Sequence, residues 1–226
     1  MGSIVDNILK IKHRIRIASE RVGRDPEQVK LLAVSKTYSS SDINEAYLAG
    51  QKIFGESRVQ EAIGKINELN NPDIEFHLIG NIQLNKVKYL QNSFSLIHSV
   101  DRIELIKEME KRFSAIHHVQ DILIQVNIAR EPQKHGVLME DFDLLLNFAL
   151  KSNSVNLKGL MMIPPFTNTP EENRIYFRRM KEIYDTIFSG CSGSILSMGM
   201  SDDFEIAVEE GANMVRIGSA IFGKRS

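Results

Sequence analysis

Lys30-Leu31-Leu32-Ala33-Val34-Ser35-Lys36-Thr37 is a short, mostly apolar run closed by polar residues. A run of that length and composition reads as a β-strand. Seven more of the same kind follow: Lys52 to Ser57, Glu75 to Gly80, Ser95 to Asp101, Asp121 to Ile128, Asn156 to Ile163, Ile195 to Gly199 and Met214 to Ser219. Each is rich in Val, Ile, Leu or Phe, and a helix-like segment follows each of the first seven. Alternating β and α elements predict a parallel sheet covered by helices. Eight repeats in about 200 residues predict one α/β domain over 1–226, a single TIM-type (β/α)8 barrel. A doubly wound open sheet is the alternative, but it usually carries a Gly-rich first turn, which is missing here.

Outside the repeats, Ile8, Ile11, Ile15, Ala18 and Val22 recur at spacings of three and four. They predict an extra N-terminal helix that Gly23 stops. Asp101 with Glu104, Thr169-Pro170 with Glu172, and Asp202 with Glu205 read as helix-start signals.

Bulk composition narrows the function. The chain has 226 residues, 28 basic and 29 acidic, for a formal net charge of -1. No basic excess points to nucleic acid or an anionic membrane. The one cysteine, Cys191, excludes an internal disulfide and reads as an unreactive loop thiol in Ser189-Gly190-Cys191-Ser192-Gly193. No secretory signal or membrane-length apolar run is visible, so a cytoplasmic location is expected. His13, His77, His98, His117, His118 and His135 make no metal-ligand spacing, and neither G-x-x-x-x-G-K-[ST] nor G-x-G-x-x-G occurs.

Barrel chemistry belongs at the C-terminal ends of the strands. Leu32, Val34 and Lys36 alternate onto one face of the first run. A lysine at an apolar mouth is partly desolvated, which leaves more neutral amine to attack an aldehyde; the competing reading turns Lys36 out to solvent. After the seventh run, Gly199, Met200 and Ser201 precede a helix start, and after the eighth come Gly218 and Ser219. Small residues let backbone N–H groups approach an anion, and loops seven and eight are the frequent phosphate site of this fold. Two helix starts without any ligand would look alike. Asp202-Asp203 reads as charge at a helix start. Arg216 shares a face with Met214 and Gly218 and needs an acceptor: a phosphate, a ring nitrogen or a neighbouring carboxylate.

Together these residues resemble the YggS/PROSC family of pyridoxal 5′-phosphate (PLP) binding proteins. The likeness runs through Leu32-Ala33-Val34-Ser35-Lys36, Phe54-Gly55-Glu56-Ser57-Arg58-Val59-Gln60-Glu61 and His77-Leu78-Ile79-Gly80. It continues through Gln133-Lys134-His135-Gly136, Gly159-Leu160-Met161, Ser197-Met198-Gly199-Met200-Ser201 and Val215 to Gly223. The resemblance implies a barrel like the N-terminal domain of alanine racemase, with PLP carried as a Schiff base on Lys36. It implies that Ser201, Gly218 and Ser219 hold the phosphate, that Gly199 and Met200 shape that loop, and that Arg216 lies near the pyridine nitrogen. The family commonly has Asn at Ser57 and Thr at Ser219, which puts one polar contact near the cofactor in doubt.

The resemblance therefore implies a monomeric PLP carrier acting in intracellular PLP homeostasis, with apo PLP-dependent enzymes as recipients. Robust catalysis is not expected. An arginine at the ring nitrogen weakens the electron sink, and the chain shows no added domain to bring a second base. The alternatives are a weak PLP-dependent amino-acid racemase and a barrel for some other phosphorylated metabolite.

Overall fold

Eight strands pair in chain order, all parallel: β1 (Lys30–Val34), β2 (Ile53–Glu56), β3 (Glu75–Leu78), β4 (Leu96–Val100), β5 (Gln120–Val126), β6 (Val155–Met162), β7 (Ile195–Ser197) and β8 (Met214–Ile217). The last returns to the first, Lys30 facing Met214 and Ala33 facing Ile217, so the sheet closes as the predicted TIM-type barrel. The structure is a computed structural model that describes residues 2–223; Met1 and residues 224–226, which the single-domain expectation includes, lie outside the described residues. Six strands fall within the predicted runs, and β5 and β6 begin one residue earlier. Every strand stops one to three residues before its run does, because the last residues of each run leave the ladder to build the loops of the mouth.

Between the strands lie α2 (Ser40–Leu48), α3 (Val59–Leu69), α4 (Ile103–Phe113), α5 (Met139–Lys151), α6 (Arg174–Phe188) and α7 (Phe204–Glu209). The third connection differs: it holds a 3₁₀ segment, Leu84–Tyr89, with only Val87 buried along it. With Leu84 and Tyr89 turned out to solvent it has no helical stripe to bury, so the short i→i+3 form suffices. A four-residue turn of helix, α8 (Ser219–Phe222), follows β8. The N-terminal helix, α1 (Ile4–Arg21), fills the ring beside it, packing on α7 and α8 with Ile8, Ile11, Ile15 and Ala18 buried. Asn7 donates to the Ile221 carbonyl at 2.8 Å, and Arg14 grips Glu205 through two bonds of 2.9 and 2.7 Å. Val22 was expected on the buried stripe but lies past the last turn, 44% exposed. Among the described residues no helix is long and apolar enough to cross a membrane.

The helix starts follow the sequence only in part. Thr169 donates through both its N–H and its hydroxyl to Glu172, with Pro170 at the first position, but the turn it opens is 3₁₀ and runs on into α6. Asp101 does not cap α4. Arg102 occupies that position, and Asp101 pairs with its guanidinium at 2.6 Å.

Strand alternation divides the core in two. Outward residues, among them Phe54, pack under the helices. Inward residues form two apolar clusters, Leu32, Val34 and Met214 on one side and Leu96, Leu123 and Met161 on the other.

Candidate functional site

Seven of the eight residues singled out above line one cleft at the C-terminal mouth: Lys36, Ser57, Met200, Ser201, Arg216, Gly218 and Ser219. Its volume is about 320 Å³, and Val34, Ile79 and Ile163 give it apolar walls. A larger cavity of about 720 Å³ lies at the opposite end, between α1 and the starts of β1 and β2. Size alone would favour it. The mouth is the better candidate because an amine, a guanidinium and paired hydroxyls converge there on an apolar wall.

The Lys36 turn is built from below. Leu32 and Val34 face the barrel interior, as the alternation predicts, but β1 ends at Val34 and Lys36 sits in the turn that follows, half-buried. Ser35 extends the ladder by one bond, its N–H donating to the Gly55 carbonyl at 3.0 Å. Thr37 then adopts φ +71°, uncommon for a β-branched residue, and its N–H donates to Glu61 at 2.8 Å. Beneath them Lys65 is a hub. Its ammonium donates to the Ser35 carbonyl at 2.9 Å and to Glu56 and Glu61 at 2.8 Å each. The Ser35 hydroxyl donates to the same Glu56 oxygen at 2.6 Å. Glu56 is fully buried, and burial pushes its carboxyl above the usual range despite Lys65 and Ser35. Both neighbours of Lys36 are thus tied into one buried charge cluster.

Across the mouth, the loops after β7 and β8 meet. Ser219 Oγ donates to Ser201 Oγ at 3.2 Å, and the Arg216 N–H donates to the Gly199 carbonyl at 3.0 Å. Gly199 does not line the cleft. It is buried at φ +91°, and a Cβ there would strike Ala207 and Phe204. Gly199→Ala is therefore expected to cost about 1–3 kcal/mol, the usual range for a residue held in a sparsely populated backbone region, as read by urea denaturation. The expected helix-start roles of Asp202 and Asp203 separate. Asp202 is exposed at the cleft, while Asp203 is buried and ties the loop: it accepts from the Met200 N–H and from the Asn173 amide, at 2.7 and 2.8 Å. That N–H is consequently spent within the loop and does not face an anion. Burial raises the Asp203 carboxyl, against these two donors. At the remaining edge, Gly80 is required because its Cα packs on the Ser57 backbone, where a Cβ would overlap the carbonyl oxygen.

Arg216 is 4% exposed. Its guanidinium donates to Ser197 Oγ at 2.9 Å and to the Met162 carbonyl at 2.8 Å. Among the described residues no carboxylate lies within ion-pair distance of it; Asp203 acts only through its longer-range field. Of the three acceptors the sequence left open, the neighbouring carboxylate is therefore not the one used. Burial pushes its pKa down to about 10, so it remains a cation at neutral pH.

Sequence reasoning gives no place at the site to Tyr38, Ile79, Gly80, Ile163 and Asp202, which line the cleft, or to Glu56, Lys65 and Ser197 behind it. Parity could have found several of them: Ile79 lies two residues after His77, and Ser197 two after Ile195, on inward faces. Cys191 is exposed in its loop.

Residues 7–226 match the family described as alanine racemase, N-terminal domain. A pyridoxal phosphate homeostasis protein of Aquifex aeolicus is 44% identical over 222 residues, covering 97% of each chain. The structure of PipY from Synechococcus elongatus with PLP bound superposes with a TM-score of 0.80 at 36% identity, over 93% of this chain and 99% of that one. An alanine racemase from Corynebacterium glutamicum shares the fold at a TM-score of 0.69 and 16% identity, over 96% of this chain but 60% of that one.

Proposed function

We propose, on the premise that this chain belongs to the YggS/PROSC family of pyridoxal phosphate homeostasis proteins, that its mouth cleft holds PLP covalently on Lys36 and that it serves intracellular PLP homeostasis. The observation that carries this reading is Arg216, a buried cation with two neutral acceptors and no carboxylate among the described residues in ion-pair range. An unneutralised buried charge is costly unless a ligand completes its partners. When bound, PLP supplies an aldehyde for an amine, a flat ring with one basic nitrogen, and a phosphate dianion. The residues present fit that set. Lys36 offers the amine, and Ser201, Ser219 and Gly218 offer hydroxyls and backbone for the phosphate. Arg216 would face the ring, Val34, Ile79 and Ile163 would enclose it, Met200 and Ser57 would close the edges, and Gly199 permits the loop.

A guanidinium only donates, so Arg216 does not keep a ring nitrogen protonated. That supports holding the cofactor over turning substrate. The cleft is open where Met200, Asp202 and Ser219 are exposed, which suits release to apo-enzymes from a monomeric, cytoplasmic carrier. The test is an absorption spectrum of the PLP-loaded protein before and after borohydride, with mass mapping of the modified residue. A visible band lost on reduction, with the added mass on Lys36, supports the reading. A colourless protein that traps nothing at Lys36 overturns it.

A further inference from the structure

A line of buried polar side chains crosses the barrel interior. Arg216 on β8 donates to Ser197 Oγ on β7 at 2.9 Å. Ser197 Oγ lies 3.1 Å from His98 Nδ1 on β4, and His98 Nε2 lies 3.0 Å from His77 Nδ1 on β3. His77 Nε2 faces the Glu75 carboxylate at 3.9 Å, beyond direct hydrogen-bond range. His98 and Ser197 are wholly buried and His77 is 3% exposed. Barrel interiors are normally filled by apolar side chains, so a polar line across one calls for a reason.

The chemistry of the groups fixes its direction. Guanidinium has no acceptor, so Ser197 Oγ accepts from Arg216. The serine's single proton then has His98 Nδ1 as its buried neighbour. Were Nδ1 protonated, Oγ would accept from both neighbours, and the serine proton would be left buried without either of them as its acceptor, which is costly. Burial holds both rings below the usual histidine range, so both are neutral; the charged groups acting on them are Arg216, Glu75 and Lys30. His98 therefore carries its proton on Nε2 and donates to His77 Nδ1, and His77 presents Nε2–H towards Glu75. Every donor points away from the mouth.

We propose that Ser197 and His98 are positioning residues for Arg216: the serine, oriented by one histidine tautomer, fixes one edge of the guanidinium and so which N–H groups are left for the bound ring. This rests on the reading of the cleft as a PLP site.

Two measurements decide it. In the apo-protein, nitrogen-15 imidazole NMR is expected to show His98 and His77 both protonated at Nε2; His98 protonated at Nδ1 overturns the proposal. In the PLP-loaded protein, Ser197→Ala is expected to shift the pH midpoint of the visible band and to speed cofactor release by roughly tenfold, as for a lost hydrogen bond to a charged group. Ser197→Thr, which keeps the hydroxyl, is expected to restore both. His98→Asn, which keeps an acceptor for Ser197, is expected to perturb the band less than His98→Leu. A Ser197→Ala protein with the wild-type midpoint and release rate also overturns the proposal. If the unmodified protein shows no band at all, the PLP reading has failed instead, and the NMR result still decides the direction of the line.

Discussion

Lys36→Ala is expected to give a folded protein with no visible band on PLP addition, no borohydride-trapped adduct, and PLP retention weakened by roughly 10²–10⁴-fold, the factor that tethering a second contact commonly supplies. Among the described residues Lys36 is the only lysine lining the cleft, so none of them replaces its amine there. The rest of the site survives the substitution. Ser201 and Ser219 still face each other, and Arg216 is held from behind by Ser197 and Met162. Residual binding should therefore persist as a non-covalent, salt-sensitive association that inorganic phosphate displaces. Lys36→Arg serves as the control for charge: it keeps a cation at the mouth but offers no nucleophilic amine, and is expected to resemble the alanine variant in the absorption and trapping assays. Equilibrium dialysis and mass mapping check both variants. Wild-type retention in Lys36→Ala, or a trapped adduct on another lysine, would sink the assignment.

The barrel was legible because strand alternation has period two and the β–α unit repeats eight times, so small errors at each boundary do not change the count. What the pattern could not show was how each strand ends. β1 stops at Val34 because Thr37 turns left-handed, and the groups that hold that turn come from β2 and α3, distant in sequence. Lys65 did leave a trace. Val59, Ala62 and Lys65 are the buried residues of α3 at spacings of three, so a lysine occupies a place on an apolar stripe. His77 and His98 left one too, on the inward parity of β3 and β4, but the contact of His98 with Ser197, three strands on, has no local signature. Asp203 rather than Asp202 ties the loop because Asn173, ahead of α6, reaches it. Two adjacent aspartates are indistinguishable until that contact is known. The residues aimed into the cleft follow strand parity, whereas those that brace it depend on tertiary contacts.

That bracing carries the second large effect. Lys65→Met is expected to destabilise the protein by about 3–5 kcal/mol, the cost of leaving a buried charge without its partner. Lys65 is the only cation bonded to Glu56 among the described residues, and Glu56 already has one oxygen, Oε2, buried without a partner. The pH dependence follows from the sign of the shift. Burial holds the folded Glu56 pKa above its unfolded value, so its contribution to stability is fully present below the unfolded value and is lost as the pH rises through the folded one. Removing Lys65 takes away the cation that opposes burial and raises the folded value further. The variant should thus trail the wild type least in acid and most at neutral pH. Adding Glu56→Gln to Lys65→Met should recover part of the loss at neutral pH, because the amide has no charge to strand. Urea denaturation at a series of pH values measures both, and a deficit below about 1 kcal/mol, or one that does not change with pH, would contradict the buried-pair account. The consequence reaches the mouth. Lys65 holds the Ser35 carbonyl and Glu61 holds the Thr37 N–H, one on each side of Lys36. Even the folded fraction of Lys65→Met should then retain PLP less well, since Lys36, the amine proposed to bind it, would no longer start from a fixed turn.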